Sequence, residues 1–249
     1  MVATAITTSG QLSIRWIEKA LNIYLNKLMD TKNEDYVIAS ATDSVYITFD
    51  VLVNKLFKEG TETSRIVSFL DTIAKEKLEP FINKSYQALA KSMNAYDQKM
   101  IMAREVIADK GIWTAKKRYI LNVHNSEGVQ YAEPKLKMMG IETAKSSTPQ
   151  WVRTKLTEAF KVVMSGTEQD LWEFVETARK EFRNLPPEEV AFPRGCKGLV
   201  QYACPTNIYS KGTPIHVRGS LLYNHQLKKN NIHRRYEMIT NGEKVHFSY

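Results

Sequence analysis

Between residues 11 and 29 the apolar side chains Leu12, Trp16, Ile17, Leu21, Tyr24, Leu25 and Leu28 return every three or four positions. That is the period of one face of a helix, so an amphipathic helix is predicted there. A different rhythm follows. Residues 37–40, VIAS, form a short apolar run, and residues 45–50, VYITFD, alternate with period two. The small or turn-forming Ala41, Thr42, Asp43 and Ser44 lie between them, which predicts strand, tight turn, strand. Over 64–93 the helical period resumes through Ile66, Phe69, Leu70, Ile73, Leu78, Phe81, Ile82, Tyr86, Leu89 and Met93. Pro80 inside this run is expected to kink or divide it, because proline removes a donor and clashes with the preceding turn.

The pattern then turns β-rich. Residues 99–108 and 117–125 read as paired strands, and 130–139 as a third, pushed towards an edge or bulge by Pro134. At SSTPQWV a helix begins, with Thr148 expected to cap and Pro149 expected at the first helical position, where its missing donor costs nothing. It runs to about residue 163. SGTEQD ends it, and Thr167 caps a further helix through Leu171, Phe174, Val175, Ala178 and Phe182. From Val190 to the C-terminus the chain is punctuated by glycine and proline and of mixed structure. The layout is α+β, with the main boundary predicted within 140–149.

Composition changes this picture little. A chain of 249 residues with 43% hydrophobic and 25% charged residues has the make-up of a globular protein with a real core. No run of 18 apolar residues exists, and the N-terminus lacks the basic start and apolar stretch of a signal peptide. Cys196 and Cys204 are expected as reduced thiols, and two cysteines alone do not make a zinc site. A cytoplasmic location is the default.

Charge adds more. The net charge is +8, and from Val190 onward Arg194, Lys197, Lys211, Arg218, Lys228, Lys229, Arg234, Arg235 and Lys244 face only Glu237 and Glu243. With Tyr209, Tyr223 and Tyr236 among these cations, the segment suits a phosphate-contacting surface, and equally a solvated basic face.

Three features invite chemistry. Asp43 on its tight turn is rigidly aimed, as a Mg²⁺ ligand must be, though an isolated Thr-Asp-Ser more often makes a turn hydrogen bond. Glu105, in an apolar stretch beside Arg104, is either half of a charge pair or part of an acidic site. In WTAKKRYILNV, residues 113–123, a strand beginning at the cations would place Lys117 and Tyr119 on one face and Lys116 and Arg118 on the other. Such a strand end suits contact with a nucleic-acid backbone or minor groove, or is a charged edge that resists aggregation.

Taken together, these segments resemble the family B replicative DNA polymerases, particularly those of large tailed bacteriophages. Ala41-Thr42-Asp43-Ser44-Val45-Tyr46 is similar to that family's motif C hairpin, Asp-Thr-Asp-Ser followed by an aliphatic residue and Tyr. ATAITTSGQ resembles the segment before the helix that precedes motif C, and REVIADKGIWTAKKRYILNV the palm strands ending in the Lys-Lys-Arg-Tyr motif. YAEPKLKMMGIETAKSSTP is similar to the palm-to-thumb passage and GTPIHVRGSLLYN to a thumb signature. The matches fall in family order along essentially the whole chain. An unrelated basic globular protein would not produce them.

The resemblance implies the C-terminal part of a polymerase palm over 1–144 and an incomplete thumb over 145–249. It implies template-directed nucleotidyl transfer using two Mg²⁺ ions, one activating the primer hydroxyl and one binding the incoming deoxynucleoside triphosphate. Carried over residue by residue, Asp43 is a metal ligand and catalytic, and Glu105 a nearby catalytic acid. Lys116, Lys117, Arg118 and Tyr119 grip the primer terminus and sense the minor groove. Lys145, Ser146, His216, Arg218 and Tyr223 are implied to contact primer–template DNA. Ala41 departs from the pattern, standing where the family has the first motif C Asp. The family's motifs A and B, fingers and exonuclease have no counterpart in these residues, so this polypeptide alone is not expected to polymerise. Two readings follow: a part of an enzyme, completed by a second chain in an infected bacterial host's cytoplasm, or a catalytically inactive module or gene fragment that binds primer–template DNA. Ala41 favours the second, and the retained Asp43, Glu105 and Lys-Lys-Arg-Tyr favour the first.

Overall fold

The computed structural model describes residues 2–248. The chain divides into two compact units, one comprising the residues up to Ile112 with Leu121–Lys137, the other Trp113–Ile120 with everything from Met138 onward.

In the first unit, helix α1 (Val2–Met29) buries Ile17, Leu21, Leu25 and Met29 along one stripe. It starts earlier than the apolar period does. Residues 2–11, expected to precede the helix, are helical but exposed, and the Thr7 and Ser13 hydroxyls donate to the carbonyls of Ala3 and Ser9 four residues back. Strands β1 (Val37–Ser40) and β2 (Val45–Ile47) pair antiparallel, Ser40 opposite Val45. β2 is shorter than the alternation suggested, because Asp50 opens the short helix α2 (Asp50–Leu56), which the pattern did not reveal.

Helices α3 (Thr63–Ile73) and α4 (Glu79–Ser92) are joined without a break by a π turn over Ala74–Leu78. Pro80 sits in the first turn of α4, so the expected interruption takes the form of a wider turn ahead of the proline rather than a broken helix. The core of this unit joins the α1 stripe to Tyr36, Val37, Ala74, Leu78, Ile82, Tyr86 and Leu89, with Tyr24 stacked on Phe81 at 4.1 Å. Near its edge Asp71 binds both Lys75 and Arg104, and Arg104 also donates to the buried Asn125 at 2.8 Å.

A three-stranded sheet of β3 (Val106–Ala115), β4 (Arg118–Ser126) and β5 (Val129–Met139) follows, with β4 central. The second and third strands lie where the pattern put them, and Pro134 is on an edge strand as expected. The first does not. Residues 99–105 are irregular, and the strand runs instead through residues 106–115, whose outer half is exposed. Exposed residues carry no burial alternation, so the period test had nothing to register there.

In the second unit, α5 (Gln150–Ser165) and α6 (Glu168–Arg183) form a helical hairpin, with Trp151 against Phe182 and Lys155 between Glu158 and Glu181. Thr167 caps α6 through a capping box with Asp170, as expected. The start of α5 differs: Pro149 is the cap residue itself, helical residues begin at Gln150, and Thr148 makes no capping bond. The remaining elements are α7 (Pro187–Val190), β6 (Phe192–Gly195), α8 (Leu199–Tyr202), β7 (Ala203–Cys204), β8 (Ile208–Tyr209), α9 (Ile215–Lys229) and β9 (Lys244–Phe247). β6 pairs with β9, and a small core of Cys196, Leu199 and Val217 lies beside them. Both cysteines are free thiols.

Candidate nucleic-acid interface

The β1–β2 hairpin is docked from below. The Asn22 side-chain oxygen on α1 accepts from the Tyr36 and Val37 amides at 2.8 and 3.1 Å, and its amide donates to Asp35 at 2.8 Å. At the far end the Ala41 amide donates to the Ser44 carbonyl at 2.8 Å, which closes the turn and leaves Thr42 and Asp43 exposed at its tip. Among the described residues the Asp43 carboxylate makes no ion pair or hydrogen bond. Ala41 is half-buried at the base of the same turn.

Glu105 lies just before β3 and is exposed. Its carboxylate pairs with Lys137, while its neighbour Arg104 turns to Asp71. The charge pair therefore exists, but with a partner other than the adjacent arginine. Among the described residues no group of three or more His, Cys, Asp or Glu side chains is placed to hold a metal ion. A single carboxylate on an exposed tip does not fit a two-metal Mg²⁺ centre, which needs several oxygen ligands.

The Lys-Lys-Arg-Tyr segment is built differently from its sequence reading. Lys116 and Lys117 are not strand residues. They form the exposed turn between β3 and β4, with Lys117 in the left-handed region at φ 61°. Strand alternation therefore does not sort the four residues into two faces. Tyr119 is buried at 9% exposure, its ring 6.5 Å from that of Trp113. Gly140, just past β5 at φ 65°, comes so close that a Cβ there would lie 2.3 Å from the Lys117 carbonyl oxygen. Only glycine allows both that approach and that conformation.

Two further cations converge on one acid. Arg118 Nη2 donates to both Glu142 carboxylate oxygens at 2.7 Å, and Lys145 Nζ donates to Glu142 Oε1 at 3.0 Å. The Lys145 hydrogen bond, with the Arg118 charge beside it, holds the Glu142 carboxyl below its ordinary range. Ser146 is exposed on the turn that follows. It also lines a cavity of about 460 Å³ with Trp151, Arg153, Glu188, Lys244 and His246.

On α9, His216 and Tyr223 are seven residues apart and share a face, whereas Arg218 points elsewhere. The half-buried His216 ring lies 5.9 Å from Phe247, Tyr223 is exposed, and the Arg218 guanidinium sits 5.1 Å over the Tyr209 ring. The structure thus brings together Arg118, Lys145 and the Lys116–Lys117 turn. It does not gather Asp43 and Glu105 into one acidic cluster among the described residues. Sequence reasoning missed Gly140 and Glu142. The available signals were a glycine ending a strand pattern and one acid among the cations of KMMGIETAK.

The basic hairpin tip with its braced pair of cations, and separately the basic helix α9, each suit contact with a polyanion. No family model matches the sequence. Two curated proteins do: the DNA-directed DNA polymerase of Escherichia phage RB69, 39% identical over 98% of this chain and 28% of that protein, and the DNA-directed DNA polymerase of Enterobacteria phage T4, 37% identical over 89% of this chain and 26% of that protein. The chain is thus related to phage DNA-directed DNA polymerases, as the sequence resemblance implied, and it spans about a quarter of the length of those relatives.

Proposed function

We propose that residues 1–144 are part of the palm and 145–249 part of the thumb of a family B replicative DNA polymerase, acting in a phage-infected cell. In this reading the second unit's cations hold primer–template DNA, and the first unit presents Asp43 on a rigid turn towards the reacting groups. The remaining metal ligands, the site for deoxynucleoside triphosphates and the fingers come from polypeptide outside these residues. The observation that carries the proposal is the identity of 39% along nearly the whole chain, with the motif C-like turn and the Lys-Lys-Arg-Tyr turn inside the matched region. Mg²⁺ is the expected ion, with Asp43 as one ligand and Glu105, paired with Lys137, as a second acid of the site.

A second reading is favoured by Ala41 and by the lack of an acidic cluster among the described residues: a module that binds primer–template DNA without catalysis. Co-expression with the polypeptide encoded immediately upstream, followed by primer extension with Mg²⁺, separates the two. Extension that Asp43→Ala abolishes supports the enzyme reading. Extension only after Ala41→Asp means a scaffold disabled at one position. Salt-sensitive duplex binding with no extension in either form favours the binding module.

A further inference from the structure

We propose that Glu142 is a positioning residue for DNA binding, holding Arg118 and Lys145 in the geometry in which they meet the duplex backbone. The inference rests on the DNA-binding reading above and names a residue that reading does not include.

Arg118 opens β4 and Lys145 follows β5 by several residues, so no shared element fixes their spacing. Glu142 does so. One of its oxygens takes both cations and the other takes Arg118 alone. All three side chains are open to solvent, at 41%, 44% and 49% exposure for Arg118, Glu142 and Lys145. A phosphate can therefore reach the cations from solvent while the carboxylate holds the two together. The Arg118 Nε is buried without a partner, so the guanidinium is held through Nη2. With Glu142 removed, two long side chains regain their rotamer freedom and the Arg118 guanidinium, its Nε already unpartnered, loses both of its Nη2 bonds to the carboxylate.

Net charge alone would act in the opposite direction. A carboxylate beside phosphate-binding cations repels DNA, and neutralising it raises the net charge and should tighten binding. The two views differ in sign, which makes the test decisive.

The 249-residue chain, its Glu142→Gln form, Arg118→Gln and the double variant are titrated against a fluorescent primer–template duplex at low and moderate salt, with circular dichroism to verify folding. Positioning predicts that Glu142→Gln weakens binding about ten-fold despite the lost negative charge. In the Arg118→Gln background the same change should have little further effect. Equal or tighter binding by Glu142→Gln overturns the inference and leaves the DNA-binding reading standing. An equal loss in both backgrounds also overturns it, by showing a structural role that does not pass through Arg118. Failure of the unaltered chain to bind the duplex overturns the DNA-binding reading and this inference with it.

Discussion

At the scale of single residues, function here depends on what each side chain is already bonded to. Asp43 is uncommitted among the described residues, whereas Glu105 is held by Lys137 and Arg118 by Glu142. Gly140 is the residue on which the basic turn leans most directly. Any side chain at φ 65° is strained, and a Cβ would meet the Lys117 carbonyl, a backbone atom that no rotamer change can move aside. Gly140→Ala should therefore destabilise by about 3 kcal/mol, combining left-handed strain with the clash. Thermal melts should record that loss, and duplex affinity should fall with it because the turn carrying Lys116 and Lys117 is displaced. An unchanged melting temperature would mean that the 140–117 approach is not a real constraint.

At the scale of elements, the sequence was most legible where one face is buried. The α1 stripe, the helix pair α5–α6 with its Thr167 cap, and the strands β4 and β5 all carry a hydrophobic period or a capping pair that reads directly. The outer half of β3 was missed because it is exposed, and α2 because it is short and has no buried residue. Lys116 and Lys117 were misread because a turn made of two lysines lacks the usual glycine or asparagine, and the strain at Lys117 is matched by Gly140 more than twenty positions away. Spacing rules do not reach that far.

The elements also carry an acid-sensitive join. Asp71 on α3 has its pKa lowered, first by the Lys75 hydrogen bond and then by Arg104. Its folded value lies below the unfolded one, so its contribution is present above the ordinary carboxylate range and is lost as pH falls through the lowered value. Stability of the unaltered chain should drop on acidification from about pH 5 to pH 2 more steeply than that of Asp71→Asn. At neutral pH the variant should be less stable by about 2 kcal/mol, since Arg104 is 10% exposed and loses its anion. Parallel pH–stability curves for the two proteins would count against this account.

At the scale of the whole molecule, the net charge of +8 predicts association with polyanions but not where it occurs. The candidate cations Lys116, Lys117, Arg118, Lys145 and Arg218 all belong to the second unit, and Glu142 opposes them there. Duplex binding should therefore release counterions for about four phosphates, giving a slope of about −3 to −4 for log affinity against log salt. Lys117→Gln should reduce that slope by about one. Asp43→Asn, in the first unit, should leave it unchanged in the absence of divalent ions, because the substitution removes no cation that neutralises a phosphate. A slope unaffected by Lys117→Gln but lowered by Lys228→Gln and Lys229→Gln would move the interface to the C-terminal end of α9. The hairpin would then be a charged turn that keeps the sheet edge from pairing, and the polymerase-like grip would have to be sought along the basic tail.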